Sequence, residues 1–215
     1  MVDEDPDERP PASPEETLRL IEAARAAAQR DMQPDPRLTY MPWGVAWLVG
    51  FGLLFLRFGP GGRVLVEMPN WVPLVVLYVL LTGAFVLSAL SGIRAARHVR
   101  GVSSVQGLRY GLSWAAGFAG VVVIASRYSA RLPDPEVVLL WSGLSLAVVG
   151  LLYIAGAAIW QARDMFVLGL WITLVNIGGF LAGPGWHALA TSLAGGGGML
   201  VGGFVEWLRW RRGQC

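Results

Sequence analysis

The chain has 215 residues, of which 54% are hydrophobic and only 15% charged, and its mean hydropathy is +0.52. That composition leaves too little polar surface for a soluble globule of this size and points to lipid as the solvent, with no nucleic-acid partner. The formal charge of +2 conceals a split, because residues 1–39 hold ten acids and five arginines (net −5) while residues 40–215 hold twelve arginines and five acids (net +7).

Residues 1–12 are acidic and proline-rich, too poor in apolar side chains to build a core, and are expected to be a disordered tail. Ser13-Pro14-Glu15-Glu16 reads as a helix start, with serine as N-cap, proline in the first turn and a glutamate three residues on. Residues 13–33 are therefore expected to form a cytoplasmic juxtamembrane helix, spanning about Pro14 to Met32, with a thin apolar stripe of Leu18, Ile21, Ala24 and Ala28. That stripe fits a cytoplasmic protein partner, a second copy or lipid headgroups, or simple packing on the protein's own loops. The first 38 residues are polar, so no cleavable signal is expected and insertion should begin with the first span.

From Tyr40 onward, six apolar runs are separated by short breaks that hold nearly all the arginines. They predict an all-α, polytopic transmembrane bundle over 40–208, with spans at about 40–56, 72–93, 110–126, 137–160, 165–183 and 187–208, followed by a basic tail at 209–215. With the amino terminus inside, eleven arginines flank the inner ends and four the outer ends, so both termini are expected in the cytoplasm. Trp43, Trp160, Trp207 and Trp210 then fall near the inner interface and Trp71, Trp141 and Trp186 near the outer one. Trp47, Trp114 and Trp171 sit about a turn deeper, for packing or for the same aromatic belts.

The largest inner loop is expected from Arg94 to Arg109 and carries Arg94, Arg97, Arg100, Arg109, His98 and the polar run Ser103-Ser104-Val105-Gln106. Its arginines are candidate contacts for anionic headgroups, a partner or the acidic tail, and alternatively do no more than set topology.

No Asp, Glu, Lys, Arg or His falls near the middle of any run, which speaks against a proton-coupled pump. Asn176 is the most polar deep residue, and its amide needs partners such as Thr173, Ser142, Ser145, Thr82 or Ser88. It is a candidate substrate contact, or an interhelix hydrogen bond. Gly179 and Gly183, and Gly198 and Gly202, form GxxxG spacings in the last two runs and are candidate helix-packing positions. The run Gly195–Gly198 also predicts a weak point where the sixth span could break. A faint echo between Trp47-Leu-Val-Gly50-Phe51, Trp114-Ala-Ala-Gly117-Phe118 and the region around Trp171 favours a hairpin-by-hairpin architecture.

No catalytic constellation is readable. His98 and His187 lie on opposite sides, Cys215 is alone, and Gly143-Leu144-Ser145-Leu146 departs from the Gly-x-Ser-Gly turn of rhomboid-type proteases. The expectation is a non-enzyme with no metal or cofactor.

The stretch Pro34-Asp35-Pro36-Arg37-Leu38-Thr39-Tyr40-Met41-Pro42-Trp43-Gly44-Val45-Ala46-Trp47-Leu48-Val49-Gly50, behind a capped helix, resembles uncharacterised six-span bacterial membrane proteins, some of which carry a transporter label. Arginine without lysine, with abundant alanine, glycine and valine, reads as a GC-rich bacterial coding bias. The resemblance implies a multi-pass protein of the bacterial inner membrane. A transporter or permease-type subunit is the first expectation, as an oligomer or with a cytoplasmic partner, for a small molecule whose identity is unknown. A membrane scaffold or sensor recruiting a partner through residues 13–33 is the second, and a substrate-binding subunit similar to those of energy-coupling-factor importers the third.

Overall fold

The computed structural model describes residues 13–31, 40–96 and 102–212. These are helices and short turns, with no strand among the described residues. Met1–Pro34 and Asp35–Cys215 form two separate compact units.

In the first unit, α1 covers Pro14–Asp31. Its start is capped as the sequence predicts: the Glu16 N–H donates to Ser13 Oγ at 3.2 Å and the Thr17 N–H to the Ser13 carbonyl at 3.0 Å. Leu18, Leu20 and Ile21 are exposed on it. The tail 1–12 lies outside the described residues, as does Met32, and nothing is described of the side chains of Ala24 and Ala28.

The second unit contains α2 (Met41–Arg57), a 3₁₀ turn (Pro60–Gly62), α3 (Trp71–Ala96), α4 (Val102–Ser129), α5 (Asp134–Trp160), α6 (Arg163–Ala182), α7 (Pro184–Ala190), a π-helical segment (Thr191–Gly196) and α8 (Gly197–Arg212). Five helices are long and apolar enough to cross a bilayer: Trp71–Ile93, Val105–Ser129, Asp134–Trp160, Arg163–Ala182 and Pro184–Leu208. The chain is thus built as an integral membrane protein. Met41–Arg57 is apolar but shorter, and at 1.5 Å per residue it reaches about 25 Å, a little under the hydrocarbon thickness.

The helix starting at Val102 corrects the expected loop. α3 runs through Arg94 to Ala96, and the polar run Ser103–Gln106 is the first turn and a half of α4, because no helix breaker follows Gly101. Arg97, His98 and Arg100 lie outside the described residues; Arg109 is an exposed residue of α4.

The core lies where α2, α3, α5, α6, the α7–π segment and the start of α8 meet, around Ala46, Trp47, Phe51, Leu54, Leu77, Leu146, Ile172, Ala188 and Met199. The most extensive joint is α5 on α6. Two glycines a heptad apart on α5 make it close: a Cβ on Gly150 would collide with Thr173 Oγ1, and one on Gly143 would lie 2.6 Å from the Phe180 ring. α3 packs closely on α2, placing Leu77 in the core against Gly50, and α4 packs on α5, so each hairpin of the expected architecture is packed, with α4 the more peripheral.

α2 and the π segment approach almost backbone to backbone, since a Cβ on Gly196 would sit 2.9 Å from the Gly44 carbonyl. Trp47 is buried there against Gly195, which assigns it to packing. Span six is continuous through the glycine run. Its weak point is a single π stretch, which leaves carbonyls to be satisfied from outside the helix. Trp171 Nε1 donates to the Ala194 carbonyl at 2.9 Å, and Ser192 Oγ donates to the Leu48 carbonyl at 2.7 Å.

Candidate functional site

The turn between α6 and α7 is one residue, Gly183, with φ 97°, a conformation that disfavours any side chain. It doubles the chain back so sharply that α7 lies along the end of α6. A Cβ on Gly179 would come within 3.0 Å of the His187 Cα, so this glycine lets the two backbones close. Gly183, paired with it in the GxxxG reading, meets no neighbour within 4 Å and serves the turn rather than a packing face.

Asn176 lies two turns before Gly183 and His187 one turn after it, and the hairpin brings them together. His187 Nε2 and Asn176 Oδ1 are 2.9 Å apart, and Asn176 Nδ2 donates to the Gly143 carbonyl at 2.9 Å. His187 Nδ1 faces Ser142 Oγ of α5 at 3.3 Å. His187 is 1% exposed and Asn176 7%. One turn beyond His187, Thr191 is fully buried and its Oγ1 has no hydrogen-bond partner.

The arrangement corrects two expectations. His187, read from the sequence as an edge residue of the sixth span, is inside the bundle and is the partner of Asn176. Thr173 is not: its hydroxyl donates to Gly169 of its own helix at 2.8 Å. Of the other proposed partners, Ser142 is reached through His187, while Ser88 accepts from Trp43 Nε1 at 2.9 Å.

The hydrogen-bond logic is directional. Because the Asn176 amide is pinned by the Gly143 carbonyl, Oδ1 accepts and His187 carries its proton on Nε2, leaving Nδ1 as an acceptor. Ser142 Oγ donates to the Val138 carbonyl at 2.7 Å, closer than its contact with His187. A proton added at Nδ1 would be received by the Ser142 oxygen lone pair without breaking the other bonds. The cluster thus positions the His187 imidazole from two sides.

Serine, histidine and asparagine in a row also match the order of nucleophile, base and orienting group in hydrolases. Ser142, however, is in mid-helix, where the neighbouring N–H groups are spent on the helix and none is turned out to stabilise an oxyanion. We derive no hydrolytic step from it.

The cluster lies below a vestibule at the end of the bundle expected to face outward. Its cavity of about 260 Å³ is bounded by the 3₁₀ turn, by Pro133–Glu136 and by the Gly183 turn up to Trp186. Gly185 presses on the backbone of Gly59 and Pro60, which ties α7 to the turn after α2. Arg57, at the end of α2, lays its guanidinium 5.3 Å from the Phe58 ring centre, and its buried Nε has no hydrogen-bond partner. Asn70 Nδ2 donates to Asp134 Oδ2 at 2.7 Å and joins the residue before α3 to the first residue of α5 at the same end.

A second, larger cavity of about 580 Å³ opens at the opposite end, between α6 and α8. Gly198 and Gly202 line it. A Cβ on Gly198 would meet Trp171 Nε1 at 2.9 Å, whereas one on Gly202 would meet nothing within 4 Å, so of the second GxxxG pair Gly198 packs against α6 and Gly202 faces the gap.

No protein-family model, curated protein or solved structure matches the chain.

Proposed function

We propose that the protein is a six-span transporter or permease-type subunit of a bacterial inner membrane, both termini in the cytoplasm, in which the Ser142–His187–Asn176 cluster is the polar station beneath an outer vestibule. The observation that carries this reading is a titratable side chain buried in an apolar bundle, which in membrane proteins marks a pathway or relay more often than a structural contact. Two buried polar atoms without partners, Thr191 Oγ1 and Arg57 Nε, support it, because such groups are costly unless a ligand or a second conformation satisfies them. The charge-poor interiors speak against a chain of proton carriers, so proton coupling in this reading would have to run through His187 alone, which the pH-gradient arm of the experiment below tests. The importer-subunit variant differs only in its energy source.

Proteoliposomes carrying the purified chain would be screened for uptake and efflux of small solutes with and without a pH gradient, alongside a ligand-induced thermal-shift screen. We expect a solute whose flux is lost in His187→Gln while the variant remains folded. Absence of flux and of any thermal shift across a broad library would remove the transport reading.

The second reading, a scaffold or sensor, rests on α1, a capped helix in its own compact unit with Leu18 and Ile21 exposed. Loss of a co-purifying partner on deleting residues 1–33, with no flux, would favour it.

A further inference from the structure

α2 ends at Arg57, and Pro60 follows shortly after it. In a continuing helix the Leu56 carbonyl would accept from the amide at position 60, and proline has no N–H to give. Residues further along fill that place. The chain turns through Pro60–Gly62 and comes back, so that the Leu65 and Val66 N–H groups both donate to the Leu56 carbonyl, at 3.0 and 2.9 Å. The Gly59 N–H donates to the Arg63 carbonyl at 3.0 Å, and only glycine allows the approach, since a Cβ there would lie 2.7 Å from that carbonyl.

The returning segment is thereby fixed beside the end of α2. Its Val64, Leu65 and Val66 are 46%, 51% and 43% exposed, three apolar side chains in succession. Facing water, such a run would be a defect. Depth decides what covers it. The 17 residues of α2 reach about 25 Å, about 5 Å less than the hydrocarbon thickness. A segment bonded to the penultimate residue of so short a span lies at the edge of the hydrocarbon. The next span begins soon afterwards at Trp71, which is 63% exposed, as a tryptophan of the interfacial belt would be.

We propose that residues 64–66 are a bilayer anchor, laid into the leaflet at this end where headgroups meet acyl chains. The three apolar side chains enter the acyl layer, while the exposed Arg63 and Glu67 on either side stay among the headgroups. The anchor makes up the apolar length that the first span lacks, in place of local thinning of the bilayer. At this depth headgroups and water remain available to the loop's other backbone groups, as they would not be deeper in the hydrocarbon. Because Gly185 presses on Gly59 and Pro60, the anchor also holds that wall of the vestibule at headgroup depth.

The test places a nitroxide on Leu65→Cys, in a Cys215→Ser background, with full-length protein in phosphatidylcholine nanodiscs. Both faces of a nanodisc meet solvent, so the reading is independent of orientation. Electron paramagnetic resonance compares collisions with oxygen, which concentrates among acyl chains, and with a water-soluble nickel chelate. Val79→Cys, on the exposed side of α3, is the lipid control, and Ala130→Cys, in the turn between α4 and α5, the aqueous one. We expect oxygen-favoured collisions at Leu65, as at Val79 and opposite to Ala130. Val64→Cys should report the same, with thermal unfolding confirming that each variant is folded. A nickel-favoured label at either position would overturn the proposal, and so would shielding from both reagents, which would mean that a second copy covers the patch.

Discussion

His187 is the residue on which the account turns, and hydropathy hides it. Hydropathy places it at the very start of the sixth run; burial comes from the Gly183 turn and from Gly179, which let α7 fold along α6. The positions themselves held a usable signal. In a one-residue helical hairpin, a side chain two turns before the turn and one a single turn after it share the inner side, as Asn176 and His187 do. We expect Asn176→Ala to lower stability by about 1–2 kcal/mol, because His187 loses its acceptor and Gly143 its donor. Thermal unfolding in detergent measures it, and a loss no larger than that of a lipid-facing substitution such as Leu181→Ala would contradict the pairing. Among the glycines, Gly150→Val should cost roughly 1–3 kcal/mol, since Thr173 and the α6 backbone stand where its side chain must go. Gly111→Val on α4, which meets nothing within 4 Å, should stay within about 0.5 kcal/mol. The GxxxG rule missed Gly143 and Gly150 because their spacing is a full heptad.

At the scale of the element, every apolar run became a helix, since lipid leaves the backbone few alternatives, with limits within a few residues of those expected except in the third, whose helix begins eight residues early at Val102. What could not be read was how the sixth run bends. Four consecutive glycines suggested a break. Instead the backbone takes one π stretch, in which the Ala194 carbonyl accepts from Trp171 of α6, while Ser192 ties the segment to α2 by donating to the Leu48 carbonyl. That compensation is tertiary and has no periodic trace in sequence. Trp171→Phe keeps the ring and removes the donor, so it should cost about 0.6–1.7 kcal/mol, the scale of membrane interhelix hydrogen bonds. Amide hydrogen exchange should show the loss localised to 191–197; a variant with unaltered protection there would contradict the assignment of Trp171 as the clamp.

For the molecule as a whole, composition alone was enough to name the solvent, and arginine counting to propose a direction. The assembly of the core was not legible: α2, α3, α5, α6 and the α7–π segment form it, while α4 hangs at the side. Among the described residues, a buried polar cluster lies toward the end that carries the vestibule and a lateral wedge opens at the other end, and both features owe their positions to the bends around Gly183 and the π segment. Their meaning depends on which end faces which compartment. The most direct measurement is therefore accessibility of single cysteines at Ser103 and Ala130, in a Cys215→Ser background, to a membrane-impermeant thiol reagent applied to intact cells and to inverted vesicles. The six-span account predicts labelling of Ala130→Cys in cells and of Ser103→Cys only in inverted vesicles, and labelling of both from the same side would contradict it.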